Sequence, residues 1–382
     1  MTPLKCFHLD HGYSSLTSSP CCQVEIPDNR SSSGNIIDSF STLHKNKHYI
    51  EIKQSMDQGI WHDLCNTCRV VEAQKSDTLS YRQHSLHKYH KPAYNVNDGL
   101  IDIQLAPGYL CNIQCRSCTP ALSSSWINES RDMPATLAAP GTQHHAMKND
   151  IKFSTIKVLP SPVYDYTKDD WSSVKYASFV GGEPIYNPEF YVQLKKLFTE
   201  TNGLAVISFA TNGTIALDLT KHPWIADFKN IQVNFSIDSI GSSAEFIRTG
   251  TVWSKVEKNI QFYKSMNIDT AYHMTNSVLN ILETNRTIDY LESMNIRSSK
   301  LVTHVIDPVY LNYSVLTENE KLKIVEQIRG TNADYIISAL ADCEHNPDNR
   351  SKFFLFMEHT KNYHGMDWKD YLPDLYNIMN EA

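Results

Sequence analysis

The chain has 382 residues, a length that corresponds to about two domains and suffices for a sizeable hydrophobic core. Its 42 Asp and Glu residues outnumber the 35 Lys and Arg residues, and the net charge is -7. Because the basic residues are scattered and form no basic tail, this balance argues against nucleic acid as the main partner. The first residues lack the apolar core of a signal peptide, and no run approaches the roughly 18 apolar residues of a membrane span. We therefore expect a soluble, cytoplasmic protein with no membrane partner.

Cysteine is the residue type whose placement is most informative in this sequence. There are nine cysteines, and the cytosol keeps thiols reduced, so metal ligation explains them better than disulfide formation does. Three of the nine form a compact group, and Cys343 stands alone and is expected to be an ordinary buried cysteine. The other five precede residue 70 and are Cys6, Cys21, Cys22, Cys65 and Cys68.

A short predicted strand leads into the compact group. Ile101 and Ile103 alternate with polar residues, a period of two that is typical of a strand with one buried face. The C-x3-C-x2-C group that follows, Cys111, Cys115 and Cys118, supplies three thiolates, whereas a four-iron cluster normally takes four. The spacing therefore predicts a cluster with one open iron. Structural zinc and cysteines used as small buried apolar residues are the alternatives.

The segment from about residue 130 to 169 interrupts the pattern of strands and helices. It follows the cysteine group directly and carries four prolines, at positions 134, 140, 160 and 162. We predict an insertion over the mouth of the site, with a surface loop as the alternative.

A Gly-Gly-Glu-Pro turn follows the next predicted strand, which ends at Val180, and precedes a predicted helix from about Pro188. Gly181 and Gly182 have no side chain, so their backbone can approach a ligand closely. Glu183 and exposed backbone groups can meet an ammonium group. The turn alone is a weak signal, since any tight strand-to-helix connection can use it.

Two more predicted strands end in polar residues. One runs from about Leu204 to the sequence Thr211-Asn-Gly213, and the other covers the run from Val233 to Asp238. Ser236 and Asp238 are two apart, so in a strand both point to one face, where a hydroxyl and a carboxylate can bind a ribose. Binding groups in α/β folds gather at the carboxyl ends of strands. The alternative is that both residues cap a turn.

Strand-like and helix-like runs alternate through most of the chain, which predicts an α/β fold with a parallel sheet. The strand-like runs lie near residues 101, 176, 204, 231, 270 and 300, and the helical stretches lie near 120, 188, 217, 254, 282 and 316. Beyond about Ser314 we expect helices only.

In combination, these motifs resemble the radical S-adenosylmethionine (radical SAM) superfamily, and in particular its members with twitch or SPASM-type auxiliary-cluster regions. The resemblance is carried by the cysteine loop of 108–118, the turn of 181–184, the Thr-Asn-Gly and Ser-Ile-Asp sequences, and the continuation Glu245-Phe-Ile-Arg-Thr-Gly250. It implies a 4Fe-4S cluster whose open iron binds the amino and carboxylate groups of S-adenosylmethionine. It also implies reductive cleavage of that cofactor to a 5'-deoxyadenosyl radical.

The resemblance also assigns roles to individual residues. Gly181, Gly182 and Glu183 are expected to hold the methionine end of the cofactor, and Ser236 and Asp238 the ribose. The resemblance also implies that Thr211, Asn212 and Asn280 lie at the cofactor, and turn capping is an equal alternative for Asn280.

Two positions depart from the pattern of the superfamily. Ser117 precedes the third cysteine, where an aromatic or large apolar residue usually contacts the adenine, so adenine contact from this loop is not implied. Ser239 replaces the glycine that usually follows Ser-Ile-Asp, which leaves the geometry of that turn open.

The resemblance extends to the N-terminal cysteines. Cys65 and Cys68 resemble the Cys-x-x-Cys element before the barrel, and Cys6 with the pair Cys21 and Cys22 resembles the earlier cysteines of such proteins. It implies an auxiliary four-iron cluster on Cys6, Cys21, Cys65 and Cys68, with Cys22 interchangeable with Cys21. A zinc site on the same thiolates is the alternative.

The implied architecture is a partial (β/α)6 barrel over residues 99–313, preceded by an auxiliary-cluster region at 1–98 and closed by a helical cap at 314–382. The implied activity is hydrogen abstraction from an unactivated carbon of a peptide or small-molecule substrate, with an electron donor such as flavodoxin or ferredoxin. A non-catalytic iron-sulfur or zinc protein that retains the fold is the alternative function.

Overall fold

The computed structural model describes residues 6, 12–14, 40, 47–73, 80, 82–83, 99–120, 122–137, 166–305, 307–328 and 334–380. These residues fall into two compact units. The first takes the described residues within 1–108, 160–209 and 218–231, and the second those within 109–159, 210–217 and 232–382. Most of the predicted insertion at 130–169, and also Cys21 and Cys22, lie outside the described residues.

The first unit is built on parallel strands. They are β1 (Gly12–Ser14), β2 (Asp102–Leu105), β4 (Tyr176–Phe179) and the beginning of β5 (Val206–Thr211). β2 pairs with both β1 and β4, and β4 pairs with β5, so that Ile103, Ala177 and Ile207 lie in register. These three side chains are buried on one face, as the alternating sequence predicts.

Helices α1 (Lys47–Asp57), α2 (Asn66–Ala73) and α4 (Pro188–Thr201) also belong to the first unit. α4 begins where Asn187 accepts a hydrogen bond from the Glu189 amide at 3.0 Å and Pro188 occupies the first turn. Phe190 on this helix packs edge-on against Phe179, with ring centroids 4.9 Å apart. The helix therefore covers the apolar face of the strands.

The second unit contains the parallel strands β6 (Asn230–Ser236, from residue 232), β8 (Asp269–Asn276) and β9 (Arg297–His304). A second, antiparallel pair joins β3 (Gln114–Cys115) to β7 (Arg248–Thr249). The helices that alternate with these strands are α3 (Ile127–Asp132), α5 (Gly241–Ile247), α6 (Trp253–Ser265) and α7 (Thr284–Ser293).

The C-terminal part of the second unit is helical, as predicted. It consists of α8 (Glu318–Ile328), α9 (Asp334–Ala341), α10 (Pro347–His364), α11 (Trp368–Tyr371) and α12 (Pro373–Asn380). α10 begins at the capping residue Asn346 and ends at Gly365, whose φ of 69° suits a residue without a side chain. Phe353, Phe356 and Trp368 of these helices share one buried core with Trp126.

Three helices end in the same way. After α4, α6 and α7, an asparagine takes the left-handed conformation, with φ of 54° at Asn202, 56° at Asn267 and 53° at Asn295. Each lies shortly before the amino end of a strand. Asparagine tolerates this conformation better than most residues because its short polar side chain bonds locally.

The α/β class and the parallel strands expected from the sequence are confirmed. The helix expected near residue 217 was wrong, because only a short 3-10 turn at Pro223–Asp227 forms there. Asp218 accepts hydrogen bonds from Thr220 and Lys221, which favours a turn, and Pro223 cannot donate within a helix. The open barrel and the three-part domain division stay predictions. No helix within the described ranges is long and apolar enough to cross a membrane.

Candidate metal and cofactor site

The cysteine loop of the second unit is fixed by hydrogen bonds on both sides of Cys115. The β3–β7 pair places Cys115 opposite Arg248, and the Arg116 amide donates to the Ile247 carbonyl at 2.8 Å. The Cys115 carbonyl accepts a hydrogen bond from Trp126 Nε1 at 3.0 Å. The middle cysteine is therefore held by backbone contacts that do not depend on a metal.

The two outer cysteines are tied to the same loop. The Cys111 amide donates to Ser124 Oγ at 3.1 Å, and the Cys118 amide donates to the Cys115 carbonyl at 3.0 Å. These bonds turn the chain back on itself between the first and last cysteine. The local sequence thus brings the three residues of the motif into one loop.

The three thiols share one electrostatic environment. Burial, aided by neighbouring Cys111, raises the pKa of Cys118 to about 12, although Thr119 and Arg248 oppose the rise. Burial likewise raises the pKa of Cys115, with Arg248 opposing and Cys118 and Cys111 adding to the rise. Thiols in this setting become thiolates only when a cation compensates the charge, which is what a metal centre supplies.

Within the described ranges, no three His, Cys, Asp or Glu side chains are grouped so that they could hold a metal ion. A four-iron cluster makes a different demand, because its thiolates bind separate irons. Three half-buried thiols of one loop, within electrostatic reach of one another, fit that demand as a donor set.

Arg248 is a site residue that the sequence reasoning did not assign. Its Nη1 atom donates to Asp238 Oδ2 at 2.8 Å, and the guanidinium lies within electrostatic reach of Cys115 and Cys111. Burial acts to lower the pKa of Arg248, but Cys115 and Asp238 outweigh it and raise the pKa above its usual range. The run Glu245–Gly250, already part of the resemblance, was the available signal.

Asp238 has both carboxylate oxygens engaged. Oδ2 accepts from Arg248, and Oδ1 accepts from the Thr275 amide at 2.9 Å. Ser236 is half-buried at the end of β6 and is paired in register with His273 of β8. Ser239, where a glycine was expected, is fully buried. The ribose contacts of Ser236 and Asp238 stay predictions.

Asn212 lies beside the first cysteine. Its Nδ2 atom donates to Asn112 Oδ1 at 2.9 Å and lies 4.0 Å from Cys111 Sγ. Thr211 Oγ1 accepts from the Gly213 amide at 3.1 Å, which shapes the turn after β5. The predicted pair Thr211 and Asn212 is therefore adjacent to the cysteine loop in the second unit.

Asn280 is fully buried, and its side chain holds the loop that carries Asp238. Nδ2 donates to the Asp238 carbonyl at 2.8 Å and to the Thr275 carbonyl at 3.0 Å, and Oδ1 accepts from the Ser277 amide at 2.8 Å. This is the turn-capping arrangement that the sequence left open. Direct contact of Asn280 with a cofactor stays a prediction.

The Gly-Gly-Glu-Pro turn belongs to the first unit. Gly181 has a φ of 82°, and a Cβ atom there would lie 3.3 Å from the Gly108 carbonyl oxygen and 3.4 Å from Ala106 Cβ. Gly182 also has positive φ, at 40°. The turn is therefore packed closely against residues 106 and 108 of the same unit. The approach of its backbone to a ligand stays a prediction.

Glu183 is fully buried at the same turn. Its Oε1 atom accepts a hydrogen bond from the Ile185 amide at 3.3 Å and caps the 3-10 turn Pro184–Tyr186. Its assignment to the ammonium group of a cofactor stays a prediction.

The N-terminal cysteines that the structure describes lie close together in the first unit. Burial raises the pKa of Cys65 to about 12, and the neighbouring thiols of Cys6 and Cys68 add to the rise. Residues 6 and 65 are distant in the sequence, so this proximity is a tertiary feature. Cys343 is partly buried in the second unit and donates from Sγ to Asn312 Oδ1 at 3.0 Å.

Comparisons with known proteins give weak likenesses. No protein-family profile matches this sequence, and no curated protein matches it. Among solved structures, native anSMEcpe with bound AdoMet is 15% identical and covers 70% of this chain and 63% of its own, with a TM-score of 0.38. Streptococcus suis SuiB bound to S-adenosylmethionine is 15% identical and covers 80% of this chain and 62% of its own, with a TM-score of 0.33.

A further structure, Streptococcus suis SuiB bound to precursor peptide SuiA, is 14% identical and covers 76% of this chain and 59% of its own, with a TM-score of 0.35. The chain spans less than two thirds of each of these solved chains. The likeness is too weak to establish a shared fold or function.

Proposed function

We propose that this protein is a radical SAM enzyme that reductively cleaves S-adenosylmethionine and uses the 5'-deoxyadenosyl radical to abstract hydrogen from an unactivated carbon. The observation that carries the proposal is the loop of Cys111, Cys115 and Cys118, whose half-buried thiols lie within electrostatic reach of one another and of Arg248, the partner of Asp238. The loop supplies three thiolates, and Arg248 of β7 supplies one compensating cation.

In the proposed site, the three cysteines ligate a 4Fe-4S cluster, which supplies an electron to S-adenosylmethionine when an external donor such as flavodoxin or ferredoxin has reduced it. The remaining residues bind and orient the cofactor. Gly181, Gly182 and Glu183 receive the methionine end, and Ser236 and Asp238 receive the ribose. Thr211 and Asn212 shape the loop beside Cys111, and Asn280 fixes the backbone of Asp238.

The protein's own contribution to catalysis is placement. A radical abstracts hydrogen from the carbon that is nearest and correctly oriented, so the site must hold the ribose carbon against one substrate position and exclude water. Asp238 and Asn280 favour such placement because both side chains are buried and hydrogen-bonded to backbone groups, which keeps them in position. The substrate class is a peptide or a small molecule.

We also propose an auxiliary four-iron cluster on Cys6, Cys65, Cys68 and one of Cys21 or Cys22. Its support is that the thiols of Cys6 and Cys68 both lie within electrostatic reach of Cys65. Such a cluster transfers electrons or binds substrate at an open iron.

Cofactor cleavage without added substrate tests the main proposal. Anaerobically reconstituted protein, mixed with S-adenosylmethionine and a strong reductant, is expected to form 5'-deoxyadenosine and methionine. Cys115→Ala is expected to abolish both products, and Cys343→Ala, which removes a thiol outside both cysteine sets, is expected to leave them unchanged.

Three outcomes would contradict this activity. S-adenosylhomocysteine as the product indicates methyl transfer instead. Equal 5'-deoxyadenosine from Cys115→Ala removes the triplet as the radical-generating site. A fully loaded cluster that cleaves no cofactor, with or without candidate substrates, supports the non-catalytic alternative.

A further inference from the structure

A buried cluster of polar side chains lies against the cysteine loop and includes two histidines of α10. At its centre is Glu129 on α3, a carboxylate that is 1% exposed. Oε2 accepts hydrogen bonds from Gln114 Nε2 and from His364 Nε2, the latter at 2.8 Å. Oε1 lies 3.1 Å from His359 Nε2 and 3.8 Å from Arg116 Nη1.

The position of these partners in the sequence connects the cluster to the metal centre. Gln114 and Arg116 are the residues on either side of Cys115. The carbonyl of Cys115 is itself bonded to Trp126, which lies just before α3. Glu129 therefore contacts both neighbours of the middle cysteine and lies three residues after Trp126, which binds the carbonyl of that cysteine.

The buried cation of Arg116 requires a nearby negative charge. The Arg116 side chain is fully buried, and no acceptor within the described residues forms a hydrogen bond with any of its three guanidinium nitrogens. A buried cation without hydrogen bonds is costly unless an opposite charge lies near, and Glu129 is that charge.

The carboxylate is stabilised in turn. Burial acts to raise the pKa of Glu129, but the imidazoles of His359 and His364 and the guanidinium of Arg116 outweigh it and lower the pKa to about 2. Glu129 thus remains an anion although its own side chain is buried. It links the cysteine loop to the C-terminal helix α10 across 235 positions of sequence.

We propose that Glu129 is a positioning residue for the cysteine loop: it holds Gln114 and Arg116 on both sides of Cys115, ties them to α10 through His359 and His364, and sets the charge around the metal centre. The inference rests on the proposed function, because it assigns that centre to the triplet. Removal of the carboxylate charge leaves Arg116 uncompensated. A more positive environment stabilises the reduced cluster, so the reduction potential rises.

The test compares Glu129→Gln with Glu320→Gln. Glu320 is also a buried carboxylate of the second unit, but in the described part of the chain its hydrogen bonds go to both Nη atoms of Arg350 at 2.7 Å and to the Thr317 amide, and not to the loop. Both variants are made with Cys65→Ala and Cys68→Ala, so that one cluster is observed. A redox titration monitored by electron paramagnetic resonance is expected to give a more positive potential for Glu129→Gln only, and Glu129→Asp is expected to return it toward the parent value.

A second readout needs no metal. Hydrogen exchange of residues 109–120 in the full-length protein before reconstitution is expected to be faster in Glu129→Gln than in the parent, and unchanged in Glu320→Gln. If Glu129→Gln does not fold, His364→Ala, which removes one donor to Oε2, is expected to show the faster exchange.

The outcomes separate this inference from the proposed function. A parent protein that cleaves S-adenosylmethionine, combined with an unchanged potential in Glu129→Gln, overturns the positioning role and leaves the function standing. Unchanged exchange in either the Glu129 or the His364 variant also overturns it. A parent protein with no cluster at the triplet removes the proposed function, while the exchange measurement still decides whether Glu129 holds the loop.

Discussion

Arg248 donates a hydrogen bond to Asp238 across 2.8 Å, and both charges lie within electrostatic reach of the Cys115 thiol. Asp238 follows β6 and Arg248 begins β7, so the contact closes the segment of ten positions that contains α5. It places a cation beside the cysteine loop, and the Asp238 carboxylate orients its guanidinium group. The same carboxylate is fixed by the Thr275 amide.

The Arg248–Asp238 pair predicts a specific defect in cofactor binding. Asp238→Asn is expected to weaken S-adenosylmethionine binding without loss of iron, because Asp238 is not a cluster ligand. A hydrogen bond to a charged group contributes about 1.5 to 3 kcal/mol, so affinity should fall roughly tenfold or more. Isothermal titration of reconstituted protein measures it.

A matched control for this prediction is Asp269→Asn. Asp269 pairs with Arg297 at the same distance of 2.8 Å, but both side chains are well exposed, at 42% and 60%. Exposed pairs contribute little, so binding should not change. Equal affinities in parent and Asp238→Asn would remove Asp238 from the site.

The two cysteine sets predict the iron content. Reconstituted protein is expected to hold about eight irons and little zinc, and the double variant Cys65→Ala, Cys68→Ala about half that iron. Cys343→Ala should keep the full amount. Metal analysis by mass spectrometry decides the question, and four irons with one zinc would establish the zinc alternative for the N-terminal set.

The tight approach at Gly181 predicts a loss of stability on substitution. Gly181→Ala places a Cβ atom 3.3 Å from the Gly108 carbonyl at a φ of 82°, so it adds steric pressure to backbone strain. Gly365 has a similar φ of 69°, but a Cβ atom there would have no neighbour within 4 Å. Gly365→Ala therefore measures the backbone strain alone. Urea unfolding is expected to show a loss above about 1 kcal/mol for both and a larger one for Gly181→Ala. A smaller loss at Gly181 would contradict the close approach.

The low pKa of Glu129 predicts an acid-sensitive component of stability. A carboxyl whose folded pKa is depressed to about 2 stabilises the protein above its unfolded pKa, and this contribution is lost as the pH falls from about 4.5 toward 2. Its size is about 3 kcal/mol. Glu129→Gln should therefore be less stable near neutral pH and show a shallower acid slope in urea unfolding. If the free energy of unfolding of parent and variant depends on pH in the same way, the pKa of Glu129 is not depressed.

The sequence predicted those features that depend on local periodicity or spacing. The strands were found because Ile103 and its neighbours alternate with polar residues, and the cysteine loop because its residues lie within eight positions. The pairing of Cys115 with Arg248 was not predictable in this way, since a two-residue strand leaves no period to detect.

The Glu129 cluster was beyond sequence reasoning for a related reason. His364 and Glu129 are separated by 235 positions, and neither stands in a motif. Glu129 lies on a helix where a charged residue normally faces solvent, so its burial depends on how α10 packs. Only tertiary structure reveals such a contact.

The three asparagines that end α4, α6 and α7 have a practical consequence. Each precedes the amino end of a strand, whereas the candidate cofactor residues lie at or after the carboxyl ends, as Thr211 and Ser236 do as the last residues of β5 and β6. Glycine accepts a left-handed backbone without steric cost, so it can replace Asn202, Asn267 and Asn295. These positions lie at the ends of the strands opposite to the candidate cofactor residues. The chain thus offers three positions at which stability can be engineered without a change to the residues of the candidate site.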